Sequence, residues 1–105
     1  MVNLITAQEY LDNAIVNQKL NDADFDVFVS PAFIHEGQEY QVILDGHHSF
    51  AAAKLAGIEP NFIVQNVKEN DTIGLLLDGN TSDFLEVNQD AGNEYRFAET
   101  NKAVW

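Results

Sequence analysis

The sequence predicts an α+β domain, a small mixed β-sheet with flanking helices. Three observations lead there. A β-rich run at Tyr40 to Leu44 passes through Asp45-Gly46 into the alanine-rich run Ser49 to Ala56, which Gly57 stops before a further β-rich run at Phe62 to Val64. A helix-patterned opening segment precedes this unit, so strands and helices interleave. The chain has 105 residues, of which 46% are apolar, including seven Phe, three Tyr and one Trp. A domain of that size buries roughly two thirds of the surface that its unfolded chain exposes, so one core and one domain over residues 1–105 are expected.

The elements follow in order. Thr6 and Glu9 have the spacing of a capping box, in which each side chain satisfies a free N–H at a helix start. Tyr10, Leu11, Ala14 and Ile15 then recur at helical spacing, which predicts a helix over 7–19 that ends in Asn21 to Asp24. Phe25 to Val29 alternates as a strand does, and Pro31 fits a strand end better than a central ladder. The strand can resume at Phe33-Ile34. Glu36-Gly37 supplies a turn before the buried strand Tyr40 to Leu44, and the two strands are expected to pair as a hairpin. Ser49 to Ala56 is a helix, and Phe62 to Val64 is a strand led by Pro60. Ile73 to Leu77 fits helix or strand, and Asp78-Gly79-Asn80 is a turn. Phe84 to Val87 and Glu94 to Ala98, separated by Asn88 to Asn93, read as a terminal hairpin within an extension from about residue 69.

Composition removes several classes of function. The chain has no cysteine, which excludes disulfide scaffolds, thiol nucleophiles and thiolate metal sites. Five basic residues against seventeen acidic ones give a formal charge of -12, and the cations are scattered singly at Lys19, Lys54, Lys68, Arg96 and Lys102. Binding to duplex DNA or to an anionic membrane is therefore not expected. Carboxylates gather at Asp22 to Asp26, Glu36 to Glu39 and Asp78 to Glu86, which serves solubility or a surface that meets a basic protein partner. Glu9 and Asp12 fall where a signal sequence would be basic and then apolar, and no apolar run approaches about 18 residues, so a soluble, cytoplasmic protein is expected.

The sharpest chemical signal is Asp45-Gly46-His47-His48. A glycine turn that opens a helix after a strand points unpaired N–H groups outward, and the helix dipole adds partial positive charge there. Phosphate or carboxylate suits such a site. Gly46 permits close approach to the backbone, and His47 and His48 can donate hydrogen bonds. Asp45 can accept from a hydroxyl, hold magnesium through water or act as a base. The plainer alternative makes Asp45 a helix cap and packs one histidine, and the residues alone leave both open. Adjacent histidines are poorly spaced for one metal, and His35 would have to join from a distant loop, so no metal site is expected. A nuclease would need more than the scattered carboxylates Asp45, Glu36 and Glu39.

The segment VILDGHHSFAAAKLAGIEP resembles the core of the ParB/sulfiredoxin superfamily, in which an Asp-Gly-His-His-Arg-like stretch follows a strand and opens an alanine-rich helix ending at Gly. The likeness is close over residues 42–60 and looser over residues 1–68. It implies a mixed α/β domain that binds a nucleotide, with Gly46, His47, His48 and Ser49 as ligand-binding residues and Asp45 and His48 as the catalytic candidates. ATP or CTP with magnesium is the implied cofactor. Members of the superfamily hydrolyse CTP, use ATP to repair an oxidised cysteine, phosphorylate serine or act as nucleases, so the fold does not select the reaction.

Two departures from the superfamily pattern shape the expected function. The repair cysteine would fall at His47, which excludes that chemistry, and Ser49 stands where the superfamily has Arg. Serine cannot bridge phosphate oxygens as a guanidinium does. The expected function is binding of a nucleotide or other phosphate ligand at this turn, with weak phosphoryl transfer or NTP hydrolysis. The alternative is a catalytically degenerate binding or inhibitor module of a phage or plasmid, whose acidic surface engages a basic protein.

Overall fold

The computed structural model describes residues 2–8, 11–89 and 94–104. The element order is β1 (Asn3–Thr6), α1 (Asn13–Asn21), β2 (Asp26–Val29), β3 (Phe33–His35), β4 (Gln38–Asp45), α2 (His47–Ala56), β5 (Asn61–Val64), α3 (Ile73–Leu77), α4 (Thr81–Val87) and β6 (Arg96–Phe97). The strands form a mixed six-stranded sheet in the order β5-β2-β4-β1-β6, with β3 also on β4. β1 runs parallel to β4 and β2 parallel to β5, whereas β1–β6, β2–β4 and β3–β4 are antiparallel. This is the α+β architecture expected from the alternation of elements.

Strand alternation sends successive side chains of β4 to opposite faces of the sheet. Tyr40 and Val42 join Ile5, Ile73, Phe84, Leu85 and Tyr95 in one core cluster, which α3 and α4 cover. Ile43 joins Val27, Val29 and Phe50 in the other, which α2 covers. The sheet thus lies between two helical layers, and α1 packs on α2. Ala52 and Ala53, both fully buried, keep the inner side of α2 narrow. Gly57 closes the helix in the left-handed conformation at φ 66°, where the Gly57 and Ile58 amides donate to the carbonyls of Lys54 and Ala53.

Three sequence expectations are corrected. Residues 3–6 form strand β1, so Thr6 ends a strand and does not cap a helix. The first helix starts at Asn13, capped by Asp12, whose Oδ1 accepts from the Ala14 amide at 2.9 Å. Glu9 and Tyr10, on which the earlier start rested, lie outside the described residues. Phe84 to Val87 belongs to α4, and β6 pairs with β1, so the expected terminal hairpin does not form. The segment between them, 90–93, is outside the described residues. Residues from about 69 onward supply α3, α4 and β6 and fill one face of the sheet. The turn at Glu36-Gly37 joins β3 to β4, while β2 pairs further along the same side of β4.

Between β2 and β3 the strand is interrupted at Pro31, which has no N–H to donate. Fully buried Ser30 mends the ladder there. Its amide donates to the Val42 carbonyl at 2.9 Å, its hydroxyl accepts from the Val42 amide at 3.0 Å, and its carbonyl accepts from Gln41 Nε2 at 3.0 Å. At the end of α4, the Tyr95 hydroxyl donates to the Leu85 carbonyl at 2.6 Å, and Asn88 Nδ2 donates to the Phe84 carbonyl at 2.9 Å. Both acceptors belong to the last turn of α4, where the Phe84 carbonyl also accepts from the Asn88 amide at 3.2 Å.

Ser30→Ala is expected to lower unfolding stability by about 1–3 kcal/mol, because it leaves the Val42 amide without its acceptor. Denaturant unfolding beside the exposed control Ser82→Ala measures this. Burial pushes the Tyr95 phenol up to about 12. Its contribution is therefore fully present below the unfolded value of about 10 and is lost as pH rises through the folded value. Absorbance titration of phenolate should show a late-ionising component that Tyr95→Phe removes.

Candidate functional site

Strand, glycine turn and helix follow in the expected order, but β4 extends to Asp45 and α2 begins at His47 rather than Ser49, so Gly46 alone turns the chain and both histidines belong to the first turn of the helix. Gly46 adopts φ 90°, a left-handed conformation that disfavours any side chain. A Cβ there would also meet the Asp26 carbonyl oxygen at 2.6 Å and the Val27 Cα at 3.0 Å. The glycine therefore admits the backbone of β2. The Gly46 amide donates to Asp45 Oδ1 at 2.7 Å, so a carboxylate of the chain itself occupies the first donor of the turn.

The histidines reach back to the end of β1 and to the cap of α1. His47 Nε2 lies 2.6 Å from Thr6 Oγ1, which also accepts from the Gln8 amide at 3.1 Å. His48 Nε2 accepts from the Asp12 amide at 3.1 Å, a role that requires an unprotonated nitrogen. Together they tie the start of α2 to the end of β1 and to the start of α1. Ser49 is 2% exposed, and its hydroxyl faces Asp24 Oδ1 at 3.5 Å. Asp24 is held below the usual carboxylate range by its hydrogen bond from Lys19, at 2.8 Å, and then by the Asp26 amide. The same bond raises Lys19.

The expected catalytic groups Asp45 and His48 thus bond to different partners. Asp45 is exposed and lines a cavity of about 350 Å³ with Phe28, Gln65 and Glu69. His47 instead lines an open groove of about 520 Å³ between α1, α2 and residues 98–101. That volume is within the range of small-molecule sites. Val16, Ile43 and Phe50 contribute its apolar wall. Lys54 lines it too, with Nζ donating to the Glu99 carbonyl at 2.9 Å and lying 5.7 Å from the Phe50 ring centre. Sequence reasoning did not single out Thr6 or Lys54 as groove residues. Thr6 resembled a helix cap, and Lys54 looked like an ordinary member of an alanine-rich helix. Among the described residues no group of three or more His, Asp or Glu side chains is placed to hold a metal ion, and no helix is long and apolar enough to cross a membrane.

Compared with known proteins, the chain matches no family model, no curated protein and no solved structure.

Gly46→Ala should lower stability by about 1–3 kcal/mol, from the left-handed backbone and the contact with Asp26. Ser49→Arg should also destabilise, because the closed space around the hydroxyl has no room for a guanidinium. His48→Ala should cost about 1 kcal/mol and speed hydrogen exchange at the Asp12 amide. Chemical denaturation and amide exchange of the three variants check these outcomes, and a stabilised Ser49→Arg protein would contradict the placement of that residue.

Proposed function

We propose that this chain is a catalytically degenerate ParB/sulfiredoxin-like binding module that meets a basic protein partner through its acidic surface. The observation that supports this reading is the internal commitment of the Asp45 to Ser49 turn. The Gly46 amide is bonded to Asp45, Gly46 is packed on β2, His48 is bonded to Asp12, and Ser49 is buried. A carboxylate at the mouth of a phosphate cradle opposes an incoming phosphate by charge and competes for the same N–H.

Acidic groups surround this end of the sheet. Asp22, Asp26, Asp45, Glu59 and Glu69 are exposed, and Lys19 is paired with Asp24. Such a field attracts a cationic protein at long range and accelerates encounter.

A second reading keeps a nucleotide or other phosphate ligand, ATP or CTP with magnesium, at Gly46 to Ser49. In its favour, α2 has no side-chain cap bonded at its N-terminus, and His47 borders the 520 Å³ groove. Calorimetric titration with ATP, CTP, GTP and ADP, with and without magnesium, separates the two readings. The binding-module reading expects no saturable heat. Saturable heat accompanied by amide shifts at residues 46–49 would replace it with the nucleotide reading. Association with a basic partner should slow as salt rises, because screening removes the long-range attraction.

A further inference from the structure

β5 is an outer strand, joined to the sheet through β2 alone among the described residues. The amides of Asn61 and Gln65 donate to the carbonyls of Phe25 and Val29 at 2.9 and 2.8 Å. Backbone groups alternate in direction along a strand, so the N–H and C=O groups of Phe62 and Val64 point away from β2, toward the free edge. The two residues are 42% and 54% exposed, and Ile58 and Val67, which flank the strand in sequence, are exposed as well. The strand itself, Asn61 to Val64, contains no charge and no proline, the usual devices that keep an outer strand from pairing.

The surroundings indicate what pairs with it. A cavity of about 490 Å³ adjoins Phe62 and is lined by Phe50, Lys54, Glu59, Pro60 and Glu99. It combines an apolar wall with two exposed carboxylates, while Lys54 is engaged by the Glu99 carbonyl. Asp26, on the neighbouring strand, is exposed, with Oδ1 accepting from Asn61 Nδ2. A second copy would bring one chain of formal charge -12 against another, which opposes self-pairing.

We propose that the free edge of β5 docks an extended, basic segment of a protein partner, added to the sheet as a further strand. The inference rests on the reading of the chain as a module for a basic partner, and names the surface used. Backbone bonds to Phe62 and Val64 supply affinity. Specificity comes from an apolar side chain in the Phe62 cavity and from Lys or Arg beside Glu59 and Glu99.

The test is an amide NMR and hydrogen-exchange titration of the full chain with the synthetic peptide Lys-Val-Lys-Ile-Lys-Val-Lys, and with its counterpart carrying Glu for each Lys. The basic peptide should slow exchange at Phe62 and Val64 and leave Asn61, Ile63 and Gln65 nearly unchanged, while the acidic peptide should do neither. Val64→Pro removes only the outward N–H and should weaken the basic peptide roughly fivefold, the factor that one net hydrogen bond represents. Val64→Lys, which keeps the backbone intact, should weaken it by charge repulsion. Shifts around Asp22, Asp26 and Asp45 with Phe62 and Val64 unprotected would overturn the edge site while leaving the basic-partner reading in place. No shift anywhere would count against both. Protection of Phe62 and Val64 that grows with protein concentration in the absence of peptide would assign the edge to a second copy and overturn the proposal.

Discussion

The arrangement of this protein depends on one close approach, that of Gly46 to the backbone of Asp26 and Val27. Only hydrogen fits on the Gly46 Cα at that distance. The contact holds the end of β4 and the start of α2 against the start of β2. It also leaves the Gly46 amide to the Asp45 carboxylate. From this fixed point, His47 and His48 carry the order outward to Thr6 and Asp12 and set where α1 begins. Residues that look like ligand-binding groups in the sequence thereby act first as joints between elements.

That double meaning marks the limit of what the sequence discloses. An Asp-Gly pair after a buried strand requires a special backbone conformation, and the prediction of strand, turn and helix from Tyr40 to Ala56 follows from it. The neighbour that makes the side-chain-free position necessary is another matter. A phosphate oxygen and a carbonyl oxygen of β2 impose the same demand, and the carbonyl lies 20 residues away along the chain. The buried state of Ser49 is illegible for the same reason, since the Asp24 carboxylate that its hydroxyl faces lies 25 residues away along the chain.

Elements with their own punctuation were readable. Gly57 and Pro60 bound α2 and β5, and Glu36-Gly37 divides β3 from β4. β1 was not readable, because Asn3 to Thr6 is short and runs into residues with helical spacing, so its extended form comes from the parallel register with Tyr40 to Val42. α4 was mistaken for a strand because Phe84 and Leu85 form a brief apolar run that suits either state. Burial of Phe84 edge-on to the Phe33 ring, with centroids 5.8 Å apart, decides it from a distance.

The position of β1 has a consequence for synthesis on the ribosome. Its partner on one side is β4 and on the other β6, whose pairing residues are Phe97 and Arg96. During vectorial synthesis β1 is thus covered on its second side only after the elements from α1 to α4 have emerged. Until then the side of β1 that β6 takes is open to other pairing. Emergence of β6 therefore covers that side of β1, while β5 stays an outer strand joined to the sheet through β2 alone among the described residues.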